Sequence, residues 1–529
     1  MRITNKIMQH NNLSNINTNK IYQDRLSTQM STQKKINRPS DDPVVAIRAL
    51  RLRSNVTEVT QYYSKNIPDA ESWLDLTEDS LKNLSGILTD MIKQCDKGSN
   101  SPLETKDRQI ILEQLKGLAE GVYSTGDADY AGRYIFTGFR TDTPLSFDRE
   151  QTIPYIITEQ LGTSALDSVV KVNTDKLLDL NSSNYMDAGM DVKDTDISKT
   201  EAYRLRLAYG DCSADGSQVS ISFKKQDPAN PGQYLDVTWG AGGAAADAIT
   251  TMHSYDNPDP YATAAADDDA LIYVPETGEL LMGKNRYNDL MLVKDSDATT
   301  INEGEIRVTY QKEHWVEGDL RPEHYFACTA NPGDPENEVA YNQSYLEGGA
   351  RRQEIEYDVG FNQRIQVNST ADECFKHGIG REVSDIMTAM QNVLDLEGVQ
   401  ATLKSLLEDA EGDDAKTKQL TDQLDAVEKA LTYAKDKEQM LFESGITAFQ
   451  GYLDDANLCM TNCGNRGSKL ELFKNRSQSQ KTSFETLKSI NEDIDITEIL
   501  IQLNSAELTY NASLMATGKV MQTSLLNFL

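Results

Sequence analysis

Residues 37–67 read NRPSDDPVVAIRALRLRSNVTEVTQYYSKNI, a turn followed by a helix marked at its first residue. Asp41 and Asp42 are N-cap candidates, since a short carboxylate can accept the first unpaired helical N–H groups. Pro43 suits the first helical position, where no N–H is needed. Beyond it Val45, Ala49, Leu52, Val56, Val59, Tyr63 and Ile67 recur at spacings of 4, 3, 4, 3, 4 and 4. A period near 3.5 is that of helices packed in a coiled coil. Leu74, Leu81, Leu84, Leu88 and Met91 resume the stripe, so the spacing predicts helix over 43–96, kinked or interrupted at Pro68.

Working outward, residues 1–38 carry an irregular apolar stripe of Ile3, Ile7, Leu13, Ile16, Ile21, Leu26 and Met30, broken by six asparagines. Asparagine competes for the backbone, so this segment would fray alone and fold when packed. A helix is expected over 103–121, then turns and short extended pieces over 122–149. From about 150 to 375 the period falls to two, with candidate strands at 204–209, 218–224, 234–239, 270–274, 305–311, 354–358 and 364–368. Residues 240–244 and 258–269 read as loops or hinges, within one insert or two small β-rich subdomains. Helical spacing returns after Gly380 with Val383, Ile386, Met390 and Val393, then Leu420, Leu424, Val427, Leu431 and Ala434. The tail from about 465 continues it through Leu470, Phe473, Phe484, Leu487 and Ile494, then Leu503, Ala506, Tyr510, Ser513, Thr517 and Val520. The fold class is therefore α+β: a discontinuous helical coiled coil or bundle from both ends of the chain, with a central β-rich insert.

The 529 residues carry 52 Lys and Arg against 83 Asp and Glu, a net charge of −31, which argues against a duplex-DNA binder. Residues 1–60 reverse the sign, with ten basic and four acidic residues. No apolar run approaches the ~20 residues of a membrane span, and the first residues lack the apolar core of a cleaved secretory signal. Six scattered cysteines do not make a disulfide framework and read as buried thiols. Cys459 and Cys463 share a helix face, but no second pair completes a zinc site. His314 and His324 are expected on a polar β surface, and Asp267–Asp269 in a solvated loop. The Asp295-Ser296-Asp297 start of a calcium loop fails, because Thr300 and Ile306 stand where glycine and a carboxylate are required. No catalytic box appears, so the reading is of a protein that is not an enzyme and needs no cofactor or metal.

Three segments resemble the flagellin superfamily: residues 1–54 with the Arg38-to-Pro43 core, Gly132-Arg133-Tyr134-Ile135-Phe136-Thr137-Gly138, and Leu508 to Leu529. The second segment is closer to the hook-associated junction branch than to filament flagellin. The resemblance covers about 1–149 and 354–529 and leaves the insert unspecified. It implies D0-like terminal helices at 1–42 and 495–529, a D1-like bundle at 43–149 and 376–494, and a variable insert at 150–375. It further implies a structural role joining hook to filament, by self-association in a helical lattice beside a neighbouring hook-associated protein and flagellin. Export without a cleaved signal, with a dedicated chaperone, to the extracellular flagellum is implied as well. Assembly contacts are expected at Ile3, Ile7, Ile16, Arg38, Asp41, Asp42, Leu503, Ala506, Tyr510, Leu514, Leu525 and Leu529, and a junction-type motif at Gly132, Arg133, Tyr134, Phe136 and Gly138. The chain departs from the family pattern at Pro68, at the arginine-containing turn expected over 463–470, and in the length of 401–445. The other readings are a filament flagellin, a flagellar protein whose insert binds glycan through Tyr234, Trp239 or Trp315 or acts enzymatically, and an unrelated coiled-coil adhesin.

Overall fold

The computed structural model describes residues 5–100, 103–187, 189–226, 230, 234–293, 305–347, 353–410 and 413–522. Ile3, Leu525, Leu529 and the Asp295–Asp297 sequence lie outside them. In chain order come α1 (Asn5–Thr32), α2 (Pro43–Gln61), α3 (Ile67–Asn100) and α4 (Thr105–Gly126), then a small hairpin of β1 (Asp129–Tyr130) and β2 (Arg133–Tyr134). The central region holds β3 (Gln151–Leu161), β4 (Leu166–Val172), α5 (Asp175–Leu178), β5 (Lys199–Arg206), β6 (Ser220–Gln226), β7 (Tyr234–Gly240) and β8 (Thr250–Thr251). It continues through α6 (Pro260–Ala266), β9 (Leu271–Val274), β10 (Glu279–Met282), α7 (Lys284–Met291), β11 (Ile306–Trp315), β12 (Ala327–Ala330) and β13 (Val339–Tyr341). The hairpin of β14 (Glu356–Gly360) and β15 (Gln363–Gln366) leads to α8 (Ala371–Cys374), α9 (Gly378–Asp409), α10 (Asp414–Glu492) and α11 (Ile496–Gln522). The fold is α+β, with long helices from both ends of the sequence flanking a central β-rich region.

The chain divides into two compact units. The first comprises Met1–Ser72, Tyr357–Ile365 and Gly467–Leu529. Here α1 runs antiparallel to α11, with Asn19 Nδ2 donating to Ser513 Oγ at 3.2 Å and Tyr22 Oη to Gln502 Oε1 at 3.5 Å. The asparagines do not break α1, because burial of Leu26 and Ala506 supplies what local propensity lacks. Pro68 has no N–H, and its ring would crowd the carbonyl of Ser64 in an ordinary helix. The sequence answers with a π-helical turn at Tyr62–Asn66, in which Ile67 N donates back to Tyr62 O. The interruption is therefore a widened turn between α2 and α3.

The second unit comprises Trp73–Glu356 and Gln366–Arg466. Leu74, Leu81, Leu84, Leu88 and Met91 are buried along α3, as are Val383, Ile386, Met390 and Val393 along α9. Gly464 and Gly467 do not make the expected turn over 463–470, because α10 runs unbroken through them. In this unit Arg466 on α10 donates instead to Asn368 O at 2.7 Å and Gln366 Oε1 at 3.1 Å. One sheet has strand order β13-β12-β3-β11-β6-β7 and the other β4-β5-β10-β9-β8. Both supply a single core, with Ile157, Ile221, Val308 and Tyr310 from the first and Leu205, Tyr273, Leu280 and Met282 from the second.

Several expectations for the insert are corrected. The 11-residue β3, with Pro154 inside it, was hidden from the alternation test, yet it pairs with β11 over nearly its whole length. Residues 258–269 include the helix α6, capped by Asp259 accepting from Ala262 N at 3.1 Å. His324 is buried rather than on a polar surface, whereas His314 is exposed. Trp239 and Trp315 are core residues, and Trp315 Nε1 donates to Ile153 O at 2.8 Å, so neither ring is free to stack on a sugar. The extra length over 401–445 has a partner: Leu177, Leu180, Val192 and Ile197 pack against Leu403, Leu420, Val427 and Leu431. Gln423 Nε2 donates there to both Tyr185 O and Met190 O at 2.8 Å.

Candidate assembly surfaces

The cap forms as the sequence specifies. Asp42 Oδ1 accepts from Val44 N at 3.0 Å and Val45 N at 3.1 Å, satisfying two of the open N–H groups of α2. Asp41 turns the other way. Its Oδ2 accepts from Arg38 N at 2.9 Å and Asn37 N at 3.1 Å, and those backbone N–H groups hold its carboxyl below the usual range. The two aspartates therefore close a turn and open a helix. Arg38 and Asp41 are exposed and Asp42 half-buried.

The turn between α1 and α2 meets the turn between α10 and α11. Lys35 N donates to Glu492 O at 2.7 Å and Ile494 N to Gln33 O at 3.2 Å, as in a short antiparallel bridge. Lys34 Nζ pairs with Asp493, and Arg53 grips the buried Glu492. In the same unit the tip of the β14–β15 hairpin presents Phe361 edge-on to Tyr62 and Phe484, at centroid distances of 5.8 and 6.4 Å. These contacts fix the start of α2 and the end of α10 as one element.

The terminal helix pair is apolar on more than one side. Ala506 is buried between the helices, and Ile16, Leu503 and Tyr510 are half-buried. Ile7 and Leu514 remain 51% and 44% exposed. Leu13 and Ile21 of the α1 stripe are more exposed still, and so are Ile501, Leu508 and Met515, which the heptad reading of α11 passed over. The signal was available in the sequence, since these residues fall outside the single stripe that one partner helix can cover. On α2, Val44, Ile47 and Leu50 form a second exposed apolar row. Contiguous exposed apolar side chains on a helix are a surface for association.

In the other unit the motif Gly132–Gly138 is a built turn. Ala131 and Gly132 both take positive φ, 53° and 79°, closing the β1–β2 hairpin. Arg133 lies over the Trp73 and Tyr130 rings at 5.2 and 5.8 Å, and Tyr134 N donates to Thr141 O at 2.9 Å. Phe136 is buried against Phe375 at 4.8 Å, and its carbonyl accepts from Ala371 N at 2.9 Å. Gly138, φ 62°, leaves room for Gln353, whose Oε1 accepts from Phe139 N at 2.8 Å. These residues act within the chain, and Phe139 beside them is exposed.

Buried ion pairs join the elements of this same unit. Arg204 is clamped by Asp167 at 2.8 Å, by Glu279 and by Asp385 at 3.4 Å, tying β5 to α9. Arg108 donates to Glu438 and Glu397, both at 3.0 Å, joining α4 to α9 and α10. Among the described residues no group of three or more His, Cys, Asp or Glu side chains is arranged to hold a metal, and no helix is long and apolar enough to cross a membrane.

Residues 3–141 match the family model of the bacterial flagellin N-terminal helical region. The chain is 29% identical over 143 residues to flagellar hook-associated protein 3 of Salmonella typhimurium, covering 27% of this chain and 45% of that protein. It is 27% identical over 187 residues to flagellar hook-associated protein 3 of Escherichia coli, covering 35% of this chain and 59% of that protein. The matches thus span about half the length of these relatives. Among solved structures, a putative flagellar hook-associated protein from Vibrio parahaemolyticus aligns with 85% of this chain and 99% of its own, at 12% identity and a TM-score of 0.31.

Proposed function

We propose that this chain, a member of the flagellin superfamily by its N-terminal region, is a structural protein of the bacterial flagellum that joins hook to filament. The observation that carries the reading is the similarity of its N-terminal region to flagellar hook-associated protein 3. The chain would act by packing, with copies of itself and with the hook-associated protein and flagellin on either side, in a closed or helical array of heterologous contacts. The terminal helices 1–42 and 495–529 form the inner, D0-like layer in this reading. Residues 43–149 and 376–494 form the D1-like layer, and 150–375 the outward insert. Ile7, Ile16, Leu503, Tyr510 and Leu514 contribute contacts to neighbours, together with Ile3, Leu525 and Leu529. A fully buried Leu or Ile is worth roughly 1.5–3 kcal/mol, so a few such residues per neighbour suffice for a stable lattice. The chain reaches the extracellular flagellum through the flagellar export apparatus with a chaperone bound to its C-terminal region.

A filament subunit is the second reading, because the matched N-terminal helical region is that of bacterial flagellin. Immuno-localisation on isolated flagella separates the two. Label confined to the hook–filament boundary supports the junction role, and label along the filament replaces it with the filament role. Deletion of residues 515–529 is expected to block incorporation while the β-rich region stays folded; normal incorporation of that truncation would sink the packing model.

A further inference from the structure

Lys312 stands where the alternation of β11 puts a core residue. Ile306, Val308 and Tyr310 precede it on the same face and are fully buried. Lys312 is itself 4% exposed, the one buried lysine among the described residues. The pairing of β11 with β3 shifts register between Lys312 and His314, a bulge that bends the strand into the turn ahead. That turn brings Asp319 back to the lysine: Val316 N donates to Asp319 Oδ2 at 3.2 Å, and Asp319 N to Val316 O at 3.1 Å. Lys312 Nζ donates to Gly210 O at 2.7 Å and lies 5.2 Å from the centre of the Trp315 ring. It stands 3.7 Å from Asp319 Oδ2, and the two side chains are 5% and 26% exposed.

We propose that Lys312 and Asp319 condense in the folded chain to a side-chain amide, an internal isopeptide crosslink. The 3.7 Å separation exceeds the about 2.7–2.9 Å of a charge-assisted hydrogen bond, so two desolvated charges face each other with little return. Amide formation removes both charges and leaves one N–H on Nζ, with Gly210 O beside it as acceptor. Burial holds the Asp319 carboxyl above the usual carboxylate range, against the pull of the Lys312 ammonium, which favours the protonated, electrophilic acid. Gly210 O and Val316 N hold the amine and the carboxyl side by side, which makes the condensation intramolecular.

The reaction balances without an oxidant or a co-reactant. The ammonium passes one proton to Asp319 Oδ1, giving an amine and a carboxylic acid. The Nζ lone pair attacks Cγ and forms the C–N bond, while Val316 N–H donates to Oδ2, where negative charge gathers. Nitrogen loses a second proton to the Oδ1 hydroxyl, the C–Oδ1 bond breaks, and water leaves. One ammonium and one carboxylate become one amide and one water.

The test uses the full chain, purified folded and then denatured for intact mass and peptide mapping. The wild type is expected to weigh less than its sequence by one water. Trypsin should fail to cut after Lys312, and fragmentation should place the loss across Lys312 and Asp319. Lys312→Met and Asp319→Ala should each keep the full sequence mass. A succinimide at an aspartate also costs one water, but hydroxylamine opens it and leaves an amide crosslink intact. A wild type of full sequence mass, normal cleavage after Lys312, or a loss that hydroxylamine reverses overturns the proposal. Should either variant fail to fold, the wild-type peptide map decides alone.

Discussion

Arg53 holds Glu492 with two parallel hydrogen bonds, Nε to Oε1 at 2.7 Å and Nη2 to Oε2 at 2.8 Å. The carboxylate side chain is 3% exposed and the guanidinium 55%. The fork geometry suits a planar bidentate pair, and it ties the middle of α2 to the last residue of α10. Removing the arginine leaves a buried carboxylate with Lys34 at 3.7 Å and Lys488 near enough to act on it. Because the arginine is solvated, the loss is well below that of a fully buried pair, about 1–2 kcal/mol. Arg53→Ala should therefore speed hydrogen exchange at the amides of Lys35 and Ile494 about 5- to 30-fold. The Arg53 hydrogen bonds hold the Glu492 carboxyl below its usual range. This contribution is present above the ordinary glutamate pKa of about 4.3 and fades as pH falls through the lower folded value. Unchanged exchange in Arg53→Ala would remove the pair from the account.

The adjacent aspartates make separable predictions. Asp42→Ala removes the acceptor for two N–H groups of α2 and should cost about 1 kcal/mol, whereas Asp42→Ser should retain most of it. Asp41→Ala opens the preceding turn without exposing helical N–H groups, so α2 should keep its helicity. Amide exchange at Val44 and Val45 reads the difference: faster in Asp42→Ala and unchanged in Asp41→Ala.

Gly132 and Gly138 both need positive φ, but only one is hemmed in. A Cβ on Gly132 meets nothing within 4 Å, while one on Gly138 comes within 2.3 Å of Gln353 Oε1 and 3.1 Å of Gln353 Cβ. Gln353 cannot swing aside freely, because its Nε2 donates to Asn342 Oδ1 at 2.9 Å. Gly132→Ala should cost about 1–2 kcal/mol, the left-handed penalty alone. Gly138→Ala should cost more, and Gly132→Asn less, since asparagine tolerates that conformation. Thermal unfolding of the three variants should give that order.

His377 is enclosed by Tyr209, Tyr325 and Phe326, and burial takes its pKa down to about 3. Below the unfolded value of about 6.5 the unfolded chain takes up a proton that the folded chain refuses. Stability from this residue is thus fully present above about pH 6.5 and is lost progressively as pH falls toward the folded value. Other buried groups act in the opposite sense, among them Glu159, whose carboxyl is pushed up by burial. The contribution is isolated by comparing wild type with His377→Gln. The stability advantage of the wild type should shrink by about 1.4 kcal/mol per pH unit between pH 6 and 4.5. A pH-independent difference would mean that the imidazole is protonated in place.

What the sequence declared, and what it withheld, follows from how local each cause is. Asp42 and Pro43 act within four residues, and the stripe from Leu74 to Met91 is a property of one helix, so both were legible. β3 was not, because its order comes from β11 and β12, distant in the chain, and Pro154 obscures it. Arg204 draws its carboxylates from positions 167, 279 and 385, which no spacing rule connects. For Gly138 the motif was visible, but its reason, a close approach of Gln353, was not.

The exposed apolar residues of the terminal helices carry the last prediction. Ile501 and Leu508 on α11 are 65% and 72% exposed, whereas Ala506 between them is 7% exposed. A charge at either exposed position loses little in the single chain, within about 0.5 kcal/mol, because it is already in water. In an assembled array the same change forfeits roughly 1.5–3 kcal/mol of burial and adds the cost of desolvating a carboxylate. Ile501→Asp and Leu508→Asp should therefore leave the circular dichroism and melting of the purified chain unchanged, yet prevent its incorporation into flagella. Ala506→Asp should disrupt the α1–α11 pair itself and show as lost helicity before assembly is tested. If the two exposed variants incorporate normally while Ala506→Asp fails, the outward faces of α11 are not assembly surfaces, and the terminal helices serve only to close on each other.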